Sequence, residues 1–230
     1  MNDHMDGEKR SPNMARNTCI AGLVVAGLLV LTLVGCARQE LFNGKTFSGW
    51  TAHVDEPGVD PWSIWSVRDG VIHCAGVPNG YIRTVDTFSD FRLHLEWRWV
   101  NNPTNSGVLL RASGPDKVWP RCIEAQLKAG NAGDFVLIGH PGMTVDGVRY
   151  QDDEKMYVVV PRKDAGKPIE KPAGQWNTYD IECIGRTIKV WVNGTLQNEA
   201  IRVTDTQGWI CLQSEGSPIE FRNIYVERLD

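Results

Sequence analysis

The sequence predicts an all-β fold, two antiparallel sheets packed as a sandwich or jelly roll. Three observations carry that expectation. Apolar and polar residues alternate with period two through many short segments. Turns rich in Gly, Asn and Asp separate those segments, and no window after Cys36 carries an apolar stripe at helical spacing.

The clearest segments justify it in chain order. Residues 65–74 (WSVRDGVIHC) read as a hairpin turning at Asp69-Gly70. Residues 91–99 (FRLHLEWRW) place Phe91, Leu93, Leu95, Trp97 and Trp99 on one face and Arg92, His94, Glu96 and Arg98 on the other, the pattern of a strand covered on one side. In residues 181–196, Ile188, Val190 and Val192 alternate with Lys189 and Trp191, and Asn193-Gly194 supplies the positive-φ turn of a second hairpin. Further strands are expected at 81–84, 107–111, 122–128, 135–138, 156–160, 176–183, 208–213 and 219–229. No internal repeat or low-complexity linker interrupts them. The irregular stretches 101–106, 113–121, 139–153 and 161–175 read as loops, where a sandwich usually carries binding and chemistry.

The chain begins differently. Residues 1–18 are polar, with Lys9, Arg10 and Arg16, and an apolar run fills residues 19–36 (CIAGLVVAGLLVLTLVGC). A basic stretch, a short apolar core and small residues at its end mark a secretory signal. Leu33-Val34-Gly35-Cys36 fits the site at which bacterial lipoproteins are acylated and cleaved. The expected organisation is therefore a signal peptide at 1–35, a lipidated Cys36 with a short tether to residue 40, and one domain at 41–230. Met14 offers a more ordinary start, so residues 1–13 read as an overlong gene start. The competing reading is a single uncleaved membrane span, for which the run is at the short end of the roughly 17–25 residues needed. Multiple acyl chains hold such a protein stably at a membrane. Ala37, rather than Asp, favours outer-membrane sorting, so the expected location is the cell envelope.

Composition narrows the function classes. Net charge is −4 with no Lys/Arg stripe, so nucleic acid is not an expected partner. No GxSxG, HExxH, P-loop or dinucleotide fingerprint occurs, which argues against serine hydrolysis, zinc peptidase work and nucleotide use. After Cys36, four cysteines remain: Cys74, Cys122, Cys183 and Cys211. An envelope location permits disulfides and the four allow three pairings, yet Cys183 and Cys211 sit in apolar strand patterns where buried free thiols are as common. The chain's nine tryptophans serve either as core residues or as flat surfaces against sugar rings, and Trp119 in the 113–121 loop is the candidate for the second use.

The densest polar constellation pairs residues 105–111 (NSGVLLR) with 124–128 (EAQLK). Alternation puts Glu124, Gln126 and Lys128 on one face, and Arg111 is expected beside them, either on an ordinary solvated sheet face or as the wall of a polar cleft. A second cluster, residues 208–216, presents Gln213 and Glu215 on one face. Glu124 and Glu215 could flank a sugar as base and acid. Asn105, Gln126, Gln213, Trp119 and His140 are candidate substrate contacts, His140 alternatively a base. His94 could line a polar cleft. Glu124, Glu215 and Asp134 would suit calcium or a related hard cation, although Asp134 in GNAGD (130–134) could equally cap a turn.

Taken together the motifs resemble the 3-keto-disaccharide hydrolase family, long known as a domain of unknown function in secreted bacterial proteins. The resemblance rests on LFNGKTFSGW (41–50), NSGVLLR (105–111), EAQ (124–126), WN (176–177), VNG (192–194), GWICLQ (208–213) and IEFRNI (219–224), in that order, and covers nearly all of the chain after Cys36. It implies a concanavalin A-like, laminarinase-like jelly roll. It also implies action on sugars already oxidised at C3, supplied by a sugar 3-oxidoreductase. There the ketone acidifies the C2 proton, a base removes it, the C1 substituent leaves by β-elimination, and water adds back. Carried over, Glu124 is the base or a metal ligand, Gln126 orients the sugar, and Arg111 or Lys128 balances enolate charge. Two departures stand out. Ala129 occupies a position where many members have Asp, and Glu215 one where many have His. A non-catalytic carbohydrate-binding surface lipoprotein and a conventional glycoside hydrolase are the competing functions, because a sandwich of this kind hosts all three.

Overall fold

The computed structural model describes residues 38–229. The signal sequence and Cys36 lie outside the described residues. Apart from one 3-10 turn at Pro61–Ile64, the regular elements are all strands. They are β1 (Arg38–Glu40), β2 (Trp50–Val54), β3 (Trp65–Arg68), β4 (Val71–Cys74), β5 (Gly80–Thr84), β6 (Phe91–Trp99), β7 (Gly107–Ser113), β8 (Arg121–Gln126) and β9 (Phe135–Ile138), followed by β10 (Met143–Val145), β11 (Val148–Tyr150), β12 (Tyr157–Val160), β13 (Asn177–Ile184), β14 (Thr187–Val192), β15 (Thr195–Ile201), β16 (Trp209–Ser214) and β17 (Ile219–Arg228).

Every pairing is antiparallel. One sheet is ordered β11-β10-β15-β14-β13-β6-β17-β4-β3, with β1 also paired to β17. The other is ordered β12-β9-β8-β7-β16-β5-β2. The all-β jelly roll read from the sequence is the observed fold. Its hairpins turn where the sequence placed them: Asp69 and Gly70 have φ of 52° and 76°, and Asn193 and Gly194 have φ of 49° and 77°, the backbone a two-residue hairpin loop requires.

The two sheets are clad differently. β6 alternates buried and open positions; Phe91, Leu93, Leu95, Trp97 and Trp99 face the core, and Arg92 to Arg98 face out. Strands β7, β8 and β9 are buried at nearly every position. Val108, Leu110, Ile123, Ala125, Phe135 and Leu137 fill the core between the sheets. The alternating residues Leu109, Cys122, Val136 and Ile138, with Tyr81 and Cys211, make a second apolar cluster on the far face, against which Trp119 and Trp209 pack. The seven-stranded sheet is thus covered on both faces, and a covered outer face is where a cleft can form.

Cys74, Cys122, Cys183 and Cys211 are free and buried, so no disulfide joins them. Burial pushes the thiols of Cys74 and Cys183 up to about 11 and about 12, leaving both inert near neutral pH.

Candidate functional site

A cleft of about 410 Å³ opens on the outer face of the seven-stranded sheet. Its polar wall carries Asn105, Glu124, Gln126, Lys128, Asp134 and Glu215. Strand pairing explains the convergence. Glu124 lies opposite Leu109 and Gln126 opposite Gly107, while an isolated bridge joins Asn105 to Glu215 as β7 and β16 enter the cleft. Residues distant in sequence meet because β7 sits between β8 and β16.

Gly107 makes room for the chemistry. A Cβ there would stand 2.0 Å from Glu124 Oε1, so the Glu124 carboxyl fills the space a side chain would occupy. Glu124 is 3% exposed, and its Oε1 is buried without a hydrogen-bond partner among the described residues. Burial raises this carboxyl well above the ordinary range, and the charge of nearby Glu215 raises it further. Burial also raises half-buried Glu215, but a hydrogen bond from Asn105 and the charge of Lys128 pull against it. Both carboxyls are therefore harder to ionise than in water, Glu124 by more than Glu215, so Glu215 is the first of the two to give up its proton as pH rises.

Gln126 is oriented by its own backbone. Its Oε1 accepts hydrogen bonds from the N–H groups of Leu127 and Lys128, at 3.0 and 2.9 Å, so the amide NH₂ is the end left for the cleft. Asp134 Oδ1 accepts from the Arg162 backbone N–H at 2.8 Å and Oδ2 from Asn131 Nδ2 at 3.1 Å. That commits Asp134 to holding the loop at 130–134 against the chain at Arg162. Among the described residues no three His, Cys, Asp or Glu side chains gather as a metal site. The donors expected for a cation, Glu124, Glu215 and Asp134, all line the cleft, but they are not gathered into such a group among the described residues.

Arg111 is not on this wall. The β7–β8 register shifts between Leu110 and Ser113, and Arg111 has φ of 52°, so the bulge breaks the alternation that would have aimed it beside Glu124. Its side chain is fully buried; Nη1 donates to the carbonyls of Gly185 and Asp205, both at 2.9 Å, and Nη2 to that of Ser89 at 2.8 Å. It clamps three loops. His140 does not line the cleft; its Nδ1 lies 2.9 Å from the Asp152 carbonyl. His94 belongs to the outer face of the other sheet, 2.6 Å from Asp180 and stacked on Tyr225. Gln213 is 1% exposed beside the cleft, and neither end of its amide has a partner. Trp119 and Asn105 line the cleft. Val136, Ile138, Met156, Tyr157 and Val159 also line it and were not singled out from the sequence. The signal was present in FVLI (135–138), an unbroken apolar run that a strand needs only when both faces are covered.

Comparison with known proteins agrees with this architecture. The model of the 3-keto-alpha-glucoside-1,2-lyase-like domain matches residues 37–227. The chain is 25% identical to a 3-keto-disaccharide hydrolase of Bacteroides thetaiotaomicron, over 83% of this chain and 78% of the relative. Among solved structures, one from Parabacteroides distasonis ATCC 8503, provisionally named a glycosyl hydrolase, superposes with a TM-score of 0.62 at 24% identity, covering 84% of this chain and 94% of that one. A Bacillus licheniformis beta-glucanase gives 0.54 at 15% identity, covering 83% and 97%, which is a likeness of fold. So is that to the carbohydrate-binding module CBM66 of Bacillus subtilis, at 0.53 and 12% identity, covering 78% and 95%.

Proposed function

The chain belongs to the family of 3-keto-alpha-glucoside-1,2-lyase-like domains, and on that premise we propose that it cleaves 3-keto-glycosides by elimination followed by hydration. The observation that supports this most is that two carboxyls of unequal burial share one cleft, Glu124 enclosed and raised well above the ordinary range, Glu215 half-buried and raised less.

The steps follow from that inequality, with Glu215, the more readily ionised, as base and Glu124 as acid. The ketone at C3 makes the C2 proton acidic, and the Glu215 carboxylate takes it. The electron pair left at C2 forms the C1=C2 double bond as the C1–O bond breaks. The departing oxygen receives the proton of Glu124. The Lys128 ammonium, at the cleft wall, offsets the negative charge that builds on the C3 oxygen, and the Gln126 NH₂ donates to a sugar oxygen. Water then adds at C1, giving its proton to Glu124, while Glu215 returns a proton to C2. Both carboxyls end as they began, and the net change is hydrolysis to a 3-keto sugar and an alcohol. General acid–base assistance of this kind is worth about 10²–10⁴-fold in rate for each group. A sugar 3-oxidoreductase must supply the substrate, and a lipid on Cys36 would hold the enzyme in the cell envelope.

The test compares release of the aglycone from a 3-keto-glucoside and from its unoxidised parent. Release from the keto form alone is expected, together with a fall of about 10²-fold or more in kcat for Glu215→Gln. Equal release from the parent would point to a conventional glycosidase. Glycan binding with no release from either would point to a binding module.

A further inference from the structure

The cleft has two ends, and Glu124 stands at their boundary. Along β8 towards Lys128 the wall is polar. In the other direction, and outward across β9 and β12, it is apolar. Val136 lies beside Glu124 in the sheet with Val159 next to it, and Tyr157 pairs with Ile138 in the adjoining row. Trp119 lines the cleft and packs against the apolar cluster that includes Val136 and Ile138. Tyr157 is 63% exposed and Val159 48%, on a strand that has no sheet neighbour beyond it among the described residues.

Resting on the reaction proposed for this site, we infer that the apolar end receives the leaving group, and that this leaving group is an aromatic alcohol rather than a second sugar. Glu124 fixes the direction. The group that protonates the departing oxygen must sit where sugar and aglycone join, and the polar residues lie on one side of it while the apolar ones lie on the other. A second pyranose in the apolar half would bring several hydroxyls against valine, isoleucine and methionine side chains that cannot hydrogen-bond. Each hydroxyl stripped of water without a replacement partner weakens the complex. An aromatic aglycone carries no such groups, and the rings of Trp119 and Tyr157 offer it surfaces to pack on. Met156, half exposed in the cleft lining, suits aglycones of varied shape.

The experiment uses the full chain and two 3-keto-glucosides of the same anomeric configuration, one carrying 2-phenylethanol and one carrying glucose. A sugar hydroxyl is more acidic than 2-phenylethanol, so intrinsic leaving-group reactivity favours the disaccharide and cannot produce the expected preference. The phenylethyl compound is expected to have at least about tenfold higher kcat/KM. Tyr157→Ser and Val159→Asn, on an exposed strand, are expected to bring that ratio towards one by raising KM for the phenylethyl compound alone. A disaccharide cleaved as well or better, with a ratio the two variants do not move, overturns the aglycone assignment and leaves the reaction standing. Cleavage of neither compound overturns the reaction itself and the assignment with it.

Discussion

At the scale of single residues, the account depends on how neighbours set the proton affinity of Glu215. The Asn105 hydrogen bond and Lys128 favour its ionised form. Asn105→Ala removes the hydrogen bond, so the carboxyl becomes harder to ionise and the acid limb of the kcat/KM profile should move to higher pH. A limb that stays in place would mean that Glu215 is not the base. Arg111 tests the opposite assignment. Three carbonyls accept its buried guanidinium, so Arg111→Met should lower stability by about 3 kcal/mol in urea unfolding. Activity per folded molecule should change little. A large loss of kcat in fully folded enzyme would return Arg111 to the chemistry.

At the scale of elements, the cleft is made by β7 and its neighbours. β7 supplies Gly107, whose missing side chain is the space that the Glu124 carboxyl fills. Gly107→Ala should displace that carboxyl, lower kcat by about tenfold or more, and destabilise the fold by about 1–3 kcal/mol. Unchanged kcat would show that the recess is incidental. Strand β6 and the two hairpin turns were legible in the sequence because alternation and Asn-Gly or Asp-Gly turns are local signals. The short strands β10 and β11 were not, since they fall in the stretch read as a loop, residues 139–153, and β10 is held by its long-range pairing to β15. Arg111 was misplaced for a related reason. Alternation assumes an unbroken strand, and the bulge after Leu110 packs against Gly208, far along the chain, where a Cβ would stand 2.4 Å from the Ala112 carbonyl oxygen. Glu124 and Glu215 were found by residue type and family motif, but their unequal burial in one cleft arises only once β8 and β16 flank β7.

At the scale of the whole molecule, a buried carboxyl links function to stability. The folded-state pKa of Glu124 lies above its ordinary value of 4.5. Below that value the group is protonated in both folded and unfolded chains, and its favourable contribution is fully present. As pH rises from 4.5 through the raised folded value, the unfolded chain gives up the proton while the folded chain retains it, so that contribution is lost. Wild-type stability should therefore fall, relative to Glu124→Gln, as pH rises through this window; urea midpoints measured for both proteins across it would show the difference. Parallel curves would mean that Glu124 is not the high-affinity site. The fold tolerates this loss because the core between the sheets, from Phe91 to Trp99 on one side and Val108 to Leu137 on the other, is independent of it.

The central claim is that the C2 proton leaves before the C1–O bond is remade with water. Cleaving a 3-keto-glucoside in D₂O and reading C2 of the released sugar by NMR tests this directly, with substrate incubated alone as the control for spontaneous exchange. Elimination and hydration predict deuterium at C2 of the enzymatic product above that control, lost together with turnover in Glu215→Gln. Product released at full rate with protium retained at C2, and with no primary isotope effect on cleavage of the C2-deuterated substrate, would mean direct displacement at C1 and would contradict the account.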